Sequence, residues 1–233
     1  MTMRIDTCVL ISAGAEWRGL LPHYPGVEIV TTPYGESFCD KIAGQNVCFM
    51  HGGWGKVAAA GSTQYAIDRW SPERIINIGT CGGFEGLIKQ RDVILVKKTI
   101  IYDIFEQMTD PDQAVVKFSV EFDLSWLPDP PPQSVRIDTL LSADRDINPD
   151  EIPWLIEKFD AAAADWESGA IAWVARRNNL PCLILRAVSD LVGFASSEAY
   201  GDYPYFEEQC QGIMANFAQH LPEWIKAFQN DGE

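Results

Sequence analysis

The sequence predicts a single-domain three-layer α/β/α sandwich built on a central mixed sheet, with one domain spanning residues 1–233. Three observations carry that prediction. Short apolar runs rich in β-branched residues alternate with helix-like runs along the whole length. No internal repeat or low-complexity tract divides the chain. Its 233 residues, 47% apolar and 22% charged, suit one globular unit able to bury roughly 70–75% of its unfolded surface without a disulfide or metal.

The elements follow in order. Val9-Leu10-Ile11 reads as a buried strand. It runs into Ser12-Ala13-Gly14-Ala15-Glu16, which opens a helix through Leu20-Leu21. Val27 to Thr32, Glu36 to Ala43 and Val47 to Met50 read as strands, with Gly44-Gln45-Asn46 as the hairpin turn. His51-Gly52-Gly53-Trp54-Gly55-Lys56 precedes a small-residue helix, Val57 to Trp70, ended by Ser71-Pro72. Arg74 to Ile78 and Asp92 to Ile101 are further strands.

Residues 109–134 lack a pattern and contain Pro128, Pro130, Pro131 and Pro132. They read as a surface excursion, because strand-like sequence resumes at Val135 to Ser142. Asn148-Pro149-Asp150-Glu151 is a helix start. Ala161 to Ala164 reads as a short strand and Glu167 to Arg177 as a helix. Leu183 to Ser189 reads as a buried strand. Phe206 to Phe228 closes the chain as an amphipathic helix that Pro222 is expected to kink or divide.

Composition narrows the function. Acidic residues outnumber Lys plus Arg by 33 to 18, a formal charge of −15. Such a surface repels phosphate backbones and anionic membranes, so neither nucleic acid nor membrane is an expected partner. No apolar run reaches the ~20 residues of a membrane span, and no secretory signal is visible. The six cysteines form no C-x-x-C pair and read as free core residues of a cytoplasmic protein. His23, His51 and His220 are isolated. With no H-E-x-x-H and no G-x-S-x-G, neither a metal site nor a Ser–His triad is expected.

Four segments carry chemistry. Gly53-Trp54-Gly55-Lys56-Val57-Ala58 has the form of a dinucleotide-binding turn, but no acidic residue ends the next strand, so it reads as a close-packed turn. Gly79-Thr80-Cys81-Gly82-Gly83 presents small residues and one hydroxyl at a strand end. Asp165-Trp166-Glu167 puts two carboxylates at a helix N-terminus, as caps or as ligands. Ser189-Asp190 ends an apolar strand, where a desolvated carboxyl has the raised pKa that a general acid needs.

In this order and spacing, the four segments resemble the nucleoside phosphorylase and nucleosidase superfamily, most closely the methylthioadenosine/S-adenosylhomocysteine nucleosidases. The resemblance implies cleavage of the N-glycosidic bond of a purine-type nucleoside, with no cofactor. It implies that Asp190, oriented by Ser189, protonates the base and that Glu167 holds the ribose hydroxyls. Trp166, Thr80 and Gly82 would line the ligand. Water activated by a first-loop glutamate is the nucleosidase nucleophile. Glu16 is the candidate, and Trp17 is the competing match one residue on. Gly14 and Arg18, with Thr80, have the spacing of a phosphorylase phosphate loop, which would make phosphate a second substrate. Asn77 stands where those enzymes carry a second arginine, so hydrolysis is the expected reaction.

Ser142-Ala143-Asp144-Arg145-Asp146-Ile147 resembles the segment that presents a stacking Phe, with Asp146 at that position and Ile147 beside it. Trp166, Phe194 and the tyrosines at 200–205 are the candidate replacements, and Arg145 and Asp146 are alternative hydrogen-bonding partners of a polar base. Phe105 and Met108 fall where related enzymes present an apolar wall, so a homo-oligomer is expected. The alternatives are a phosphorylase releasing ribose 1-phosphate, a nucleoside-binding protein that lost catalysis and, more distantly, a dinucleotide-dependent oxidoreductase.

Overall fold

The computed structural model describes residues 4–193 and 197–228. In chain order its elements are β1 (Thr7–Ile11), α1 (Gly14–Leu20), β2 (Val30–Thr31), β3 (Glu36–Ile42), β4 (Gln45–His51), α2 (Lys56–Trp70), β5 (Arg74–Phe84), β6 (Val93–Ile101), α3 (Pro111–Lys117), β7 (Val120–Glu121), β8 (Arg136–Ser142), α4 (Ile152–Phe159), β9 (Ala161–Asp165), α5 (Ser168–Arg177), β10 (Cys182–Val192) and α6 (Tyr203–Ala227).

One mixed sheet joins all ten strands in the order β10-β6-β8-β9-β5-β1-β4-β3-β2, with β7 beside β6. Because β10 also pairs with β5, the strands β5, β10, β6, β8 and β9 close into a ring. Alternation along β1 sets the layers. Val9 and Ile11 pack with Trp17 and Leu20 of α1 and with Ile213, Met214 and Phe217 of α6. Cys8 and Leu10 pack with Ala59 and Ala66 of α2 and with Ala170, Ile171 and Ala175 of α5. The small residues of α2 and α5 let those helices lie close to the sheet and to each other.

β5 is the spine of the molecule. β10 takes one of its edges along Ile75 to Phe84. On the other edge β1 pairs with Arg74 to Asn77 and β9 with Gly82 and Gly83. Between β1 and β9 a notch is left at residues 78–81.

Several expectations are corrected. The strand expected over Arg74 to Ile78 is longer. Pairing with β10 and β9 continues the strand to Phe84. β10 likewise continues past Ser189, through a bulge between Val188 and Asp190. The hairpin turn falls on Ala43 and Gly44, whose φ angles are 52° and 86°, one residue earlier than expected. The strand expected over Val27 to Thr32 is only Val30–Thr31. Pro222 does not divide α6, which runs unbroken for 25 residues, held by Leu221, Trp224 and Ile225 in the core. Residues 109–134 contain α3 and β7, and Trp126 packs on Trp224 and Phe228. Cys39 and Cys48 face each other in the β3–β4 ladder and are joined by a disulfide. Cys8, Cys81, Cys182 and Cys210 are free. No helix among the described residues is long and apolar enough to cross a membrane.

Candidate active site

Glu16 fills the notch on β5. It is the third residue of α1, and its carboxylate reaches back to accept the backbone N–H of Ala13 at 3.0 Å. The other oxygen accepts the Thr80 N–H at 2.6 Å and the Thr80 hydroxyl at 2.8 Å. Glu16 is buried. Trp17, the competing match, points into the core against Phe38 and donates its indole N–H to Glu36 at 2.7 Å. The helical turn therefore selects Glu16 as the carboxylate at the strand end.

Asp190 lies opposite Gly82 in the β5–β10 ladder. Ser189 donates to one of its oxygens at 2.6 Å and Ser197 to the other at 2.5 Å. Burial raises the Asp190 pKa above the ordinary carboxylate value, against the lowering effect of the two serine hydrogen bonds. Ser197 escaped sequence reasoning because it is seven residues away, with no motif linking the two. Across the strand, a Cβ on Gly82 would meet Ile147 Cδ1 at 2.8 Å, so Ile147 covers the glycine.

The two carboxylates at the start of α5 divide the expected roles. Asp165 caps: it accepts the Ser168 N–H at 3.1 Å and the Ser142 hydroxyl at 2.6 Å. Glu167 occupies the N-cap position but does not cap. Its carboxylate instead accepts the Gly55 N–H at 3.0 Å. That N–H is the donor a dinucleotide pyrophosphate would need, which removes the oxidoreductase alternative from the Gly53–Gly55 turn. Burial, then the nearby charge of Asp165, pushes the Glu167 pKa up to about 8. Trp166 stacks on Trp54 at 4.6 Å, beside the Gly55–Glu167 contact.

Arg186 joins these groups and was passed over in the sequence. Its signal was a lone charge inside an apolar strand, legible only once partners are known. It is fully buried. Its Nε donates to Asp165 at 2.8 Å and to the Ser168 hydroxyl at 2.9 Å, and its Nη2 donates to Asn77 Oδ1 at 2.8 Å. Nη1 lies against Gly79, where a Cβ would collide with it and come within 2.7 Å of Glu16. Glu16, Glu167 and Asp165 all raise the Arg186 pKa, so its charge holds the acidic cluster together.

Other expected residues lie apart from this cluster. Arg18 is half-exposed and turned to α6, donating to Glu207 at 2.5 Å and to the Tyr203 hydroxyl at 2.9 Å. Gly14 lies along the Arg18 side chain. Arg145 makes a two-point contact with Glu151 and sits over the Tyr102 ring, not over a base site. Asp146 is exposed, while Ile147 is buried and its carbonyl accepts the Tyr200 hydroxyl at 3.0 Å. Phe194 lies outside the described residues.

Fold and site thus define an α/β protein whose carboxylates converge on one strand end of a ring-closed mixed sheet. Residues 8–143 match the family described as the phosphorylase superfamily, and the chain belongs to that family. It is 28% identical over 180 residues to a 5′-methylthioadenosine/S-adenosylhomocysteine nucleosidase of Tolumonas auensis, covering 72% of this chain and 78% of that protein. It is 26% identical over 209 residues to the Bacillus thuringiensis protein of the same name, covering 80% and 84%. Among solved structures, the nucleosidase of that name from Helicobacter pylori, bound to butyl-thio-DADMe-Immucillin-A, superposes with a TM-score of 0.79 at 15% identity, covering 95% of this chain and 99% of that one. The Neisseria meningitidis nucleosidase with methylthio-immucillin-A gives 0.76 at 22% identity, covering 95% and 99%.

Proposed function

We propose that this protein hydrolyses the N-glycosidic bond of a purine-type nucleoside, with 5′-methylthioadenosine and S-adenosylhomocysteine the first substrates to try. The observation that carries the reading is that Glu16, Glu167 and Asp190 reach the same end of the β5–β10 pair, each buried and each held by its own donors.

The chemistry needs one leaving-group acid and one positioned nucleophile. Asp190 gives its proton to N7 of the base as the C1′–N9 bond breaks and its electron pair moves onto the ring. Burial keeps that proton on Asp190 to higher pH, while Ser189 and Ser197 fix its direction. Glu16 holds the attacking water and takes its proton as the oxygen bonds to C1′. Thr80 and Ala13 fix the carboxylate for that task. Glu167 hydrogen-bonds the ribose hydroxyls, and the Glu16 carboxylate stabilises positive charge developing on the sugar. Trp166 and the Gly82 strand end line the sugar and base. Tyr200, whose hydroxyl is tied to the Ile147 carbonyl, supplies the aromatic face that Asp146 does not.

Water is favoured over phosphate because Arg18 is bound to Glu207 and Asn77 holds Arg186. Self-association belongs to the same proposal. Phe105 and Met108 are 74% and 91% exposed, and a homo-oligomer would cover them. A cytoplasmic setting belongs to the proposal through the four free cysteines, and the Cys39–Cys48 bridge is the feature that argues for an oxidising one.

A nucleoside panel incubated with and without phosphate, its products identified by mass, tests the function. Free base with free ribose, independent of phosphate, is the expected outcome. Ribose 1-phosphate formed only with phosphate would make it a phosphorylase. Binding without base release would make it a nucleoside-binding protein.

A further inference from the structure

The proposed reaction leaves one buried carboxylate without a task. Asp165 touches nothing that faces the substrate, yet it is among the most heavily bonded side chains of the site. One oxygen accepts the Ser142 hydroxyl at 2.6 Å. The other accepts Arg186 Nε at 2.8 Å and the Ser168 hydroxyl at 2.5 Å. The Ser168 N–H also donates to Asp165, and the Gly169 N–H donates to Ser142 at 2.9 Å. One carboxylate thus grips both the first turn of α5, which presents Glu167, and the guanidinium on which the charges of Glu16 and Glu167 act.

A structural salt bridge would need neither the Ser142 nor the Ser168 arm. Nor would it need Asn77, which receives Arg186 Nη2 and donates its own amide to the Leu10 carbonyl at 2.9 Å. Together these hold the guanidinium by two of its three nitrogens, Nε and Nη2, while Nη1 is packed on Gly79 without a hydrogen-bond partner. A planar fork held on that many sides cannot turn towards either carboxylate.

We infer that Asp165 is a positioning residue of this site: through Arg186 and the first turn of α5 it sets the relative placement of Glu16 and Glu167. The inference rests on the proposed hydrolysis for the roles of those two glutamates. The groups facing Glu167 are Asp165 from β9, Arg186 from β10, Glu16 from α1 and the Gly55 N–H from the turn before α2. Burial first, and then the charge of Asp165, hold the Glu167 pKa up near 8. Removing that charge while keeping its shape moves the Glu167 titration downwards and loosens Arg186.

The test uses the full chain and Asp165→Asn, Asp165→Glu and Ser142→Ala. The measurements are kcat and KM against pH, with the Glu167 carboxyl followed by 13C NMR. In Asp165→Asn, kcat is expected to fall at least tenfold and the Glu167 midpoint to drop by more than one pH unit. Asp165→Glu, which keeps the charge, is expected to hold the midpoint within half a unit. If Asp165→Asn does not fold, Ser142→Ala, which removes one arm, is expected to move the midpoint the same way by less. A folded Asp165→Asn with wild-type kcat, KM and midpoint overturns the inference, as does an unmoved midpoint in both variants. If the wild-type protein releases no base from any nucleoside, the functional reading falls, while the NMR midpoints still decide whether Asp165 governs Glu167.

Discussion

Glu16 accepts two hydrogen bonds from a single residue, the N–H and the hydroxyl of Thr80, across 64 positions of sequence. This contact closes the notch that β1 and β9 leave on β5, and it fixes the carboxylate proposed to hold the attacking water. Glu16→Gln keeps an oxygen for both donors but loses the base. It is expected to fold with a melting temperature near that of the wild type and to lose 10²–10⁴-fold in kcat, the usual worth of a general base. Initial rates with 5′-methylthioadenosine check this.

Asp190→Asn keeps the shape of the carboxyl but cannot deliver its proton. Loss of 10²–10⁴-fold in kcat is expected, with nucleoside affinity by calorimetry changed less than fivefold. Unchanged turnover would remove Asp190 from the mechanism.

The Glu167 pKa makes a statement about stability. In the folded chain this carboxyl titrates near 8, against an ordinary value of 4.5. Between those values the native state holds a proton that the unfolded chain releases. Stability therefore declines as pH rises from about 4.5 to about 8. Glu167→Gln carries no titratable proton, so its melting temperature is expected to fall less steeply over that interval. Thermal melts at half-unit steps provide the comparison. The acidic cluster adds other slopes, and the difference between the two proteins isolates Glu167.

Asp146 stands where a stacking aromatic is expected, and its side chain is exposed beside the buried Ile147. Asp146→Phe is expected to lower KM for adenine nucleosides by about tenfold, since a base–aromatic stack contributes ~1–3 kcal/mol. A raised KM would mean that Asp146 itself binds the base.

A Cβ added at Gly79 on β5 would collide with Arg186 Nη1 and come within 2.7 Å of Glu16 Oε1. The methyl of Gly79→Ala has no room and must displace the guanidinium. A loss of about 1–3 kcal/mol of stability is expected from overpacking, together with a fall in kcat. Denaturant unfolding and initial rates measure the two effects.

The architecture was legible because periodicity reports burial, and the strand-helix alternation of the chain is regular. The extents of β5 and β10 were not. Glycines read as turns in isolation, and only the neighbours on both edges hold Gly79 to Gly83 extended. Pro222 looked like a break because the local cost of a proline is visible in sequence. The packing of Leu221, Trp224 and Ile225 that carries the helix past it is not. The Cys39–Cys48 bridge depends on a hairpin register that the turn at Ala43 and Gly44 sets. At the site, residues in local motifs are legible as candidates: Glu16, Thr80, Glu167, Ser189 and Asp190. Arg186, Asp165 as its partner, and Ser197 act through contacts between distant segments. Arg18 fits a phosphate loop by spacing alone, and a spacing cannot reveal that Glu207 holds its guanidinium.

The bulge at Ser189 has a consequence for how this chain can change. β10 pairs with β5 in register up to Val188 opposite Cys81, spends one extra residue, and resumes with Asp190 opposite Gly82. The acid therefore meets a partner with no side chain because the count of residues is odd by one. Deleting Ser189 would straighten the ladder and leave the acid opposite Gly82, but without the hydroxyl that donates to it at 2.6 Å. Descent can therefore regularise this strand only by giving up the donor that orients the acid.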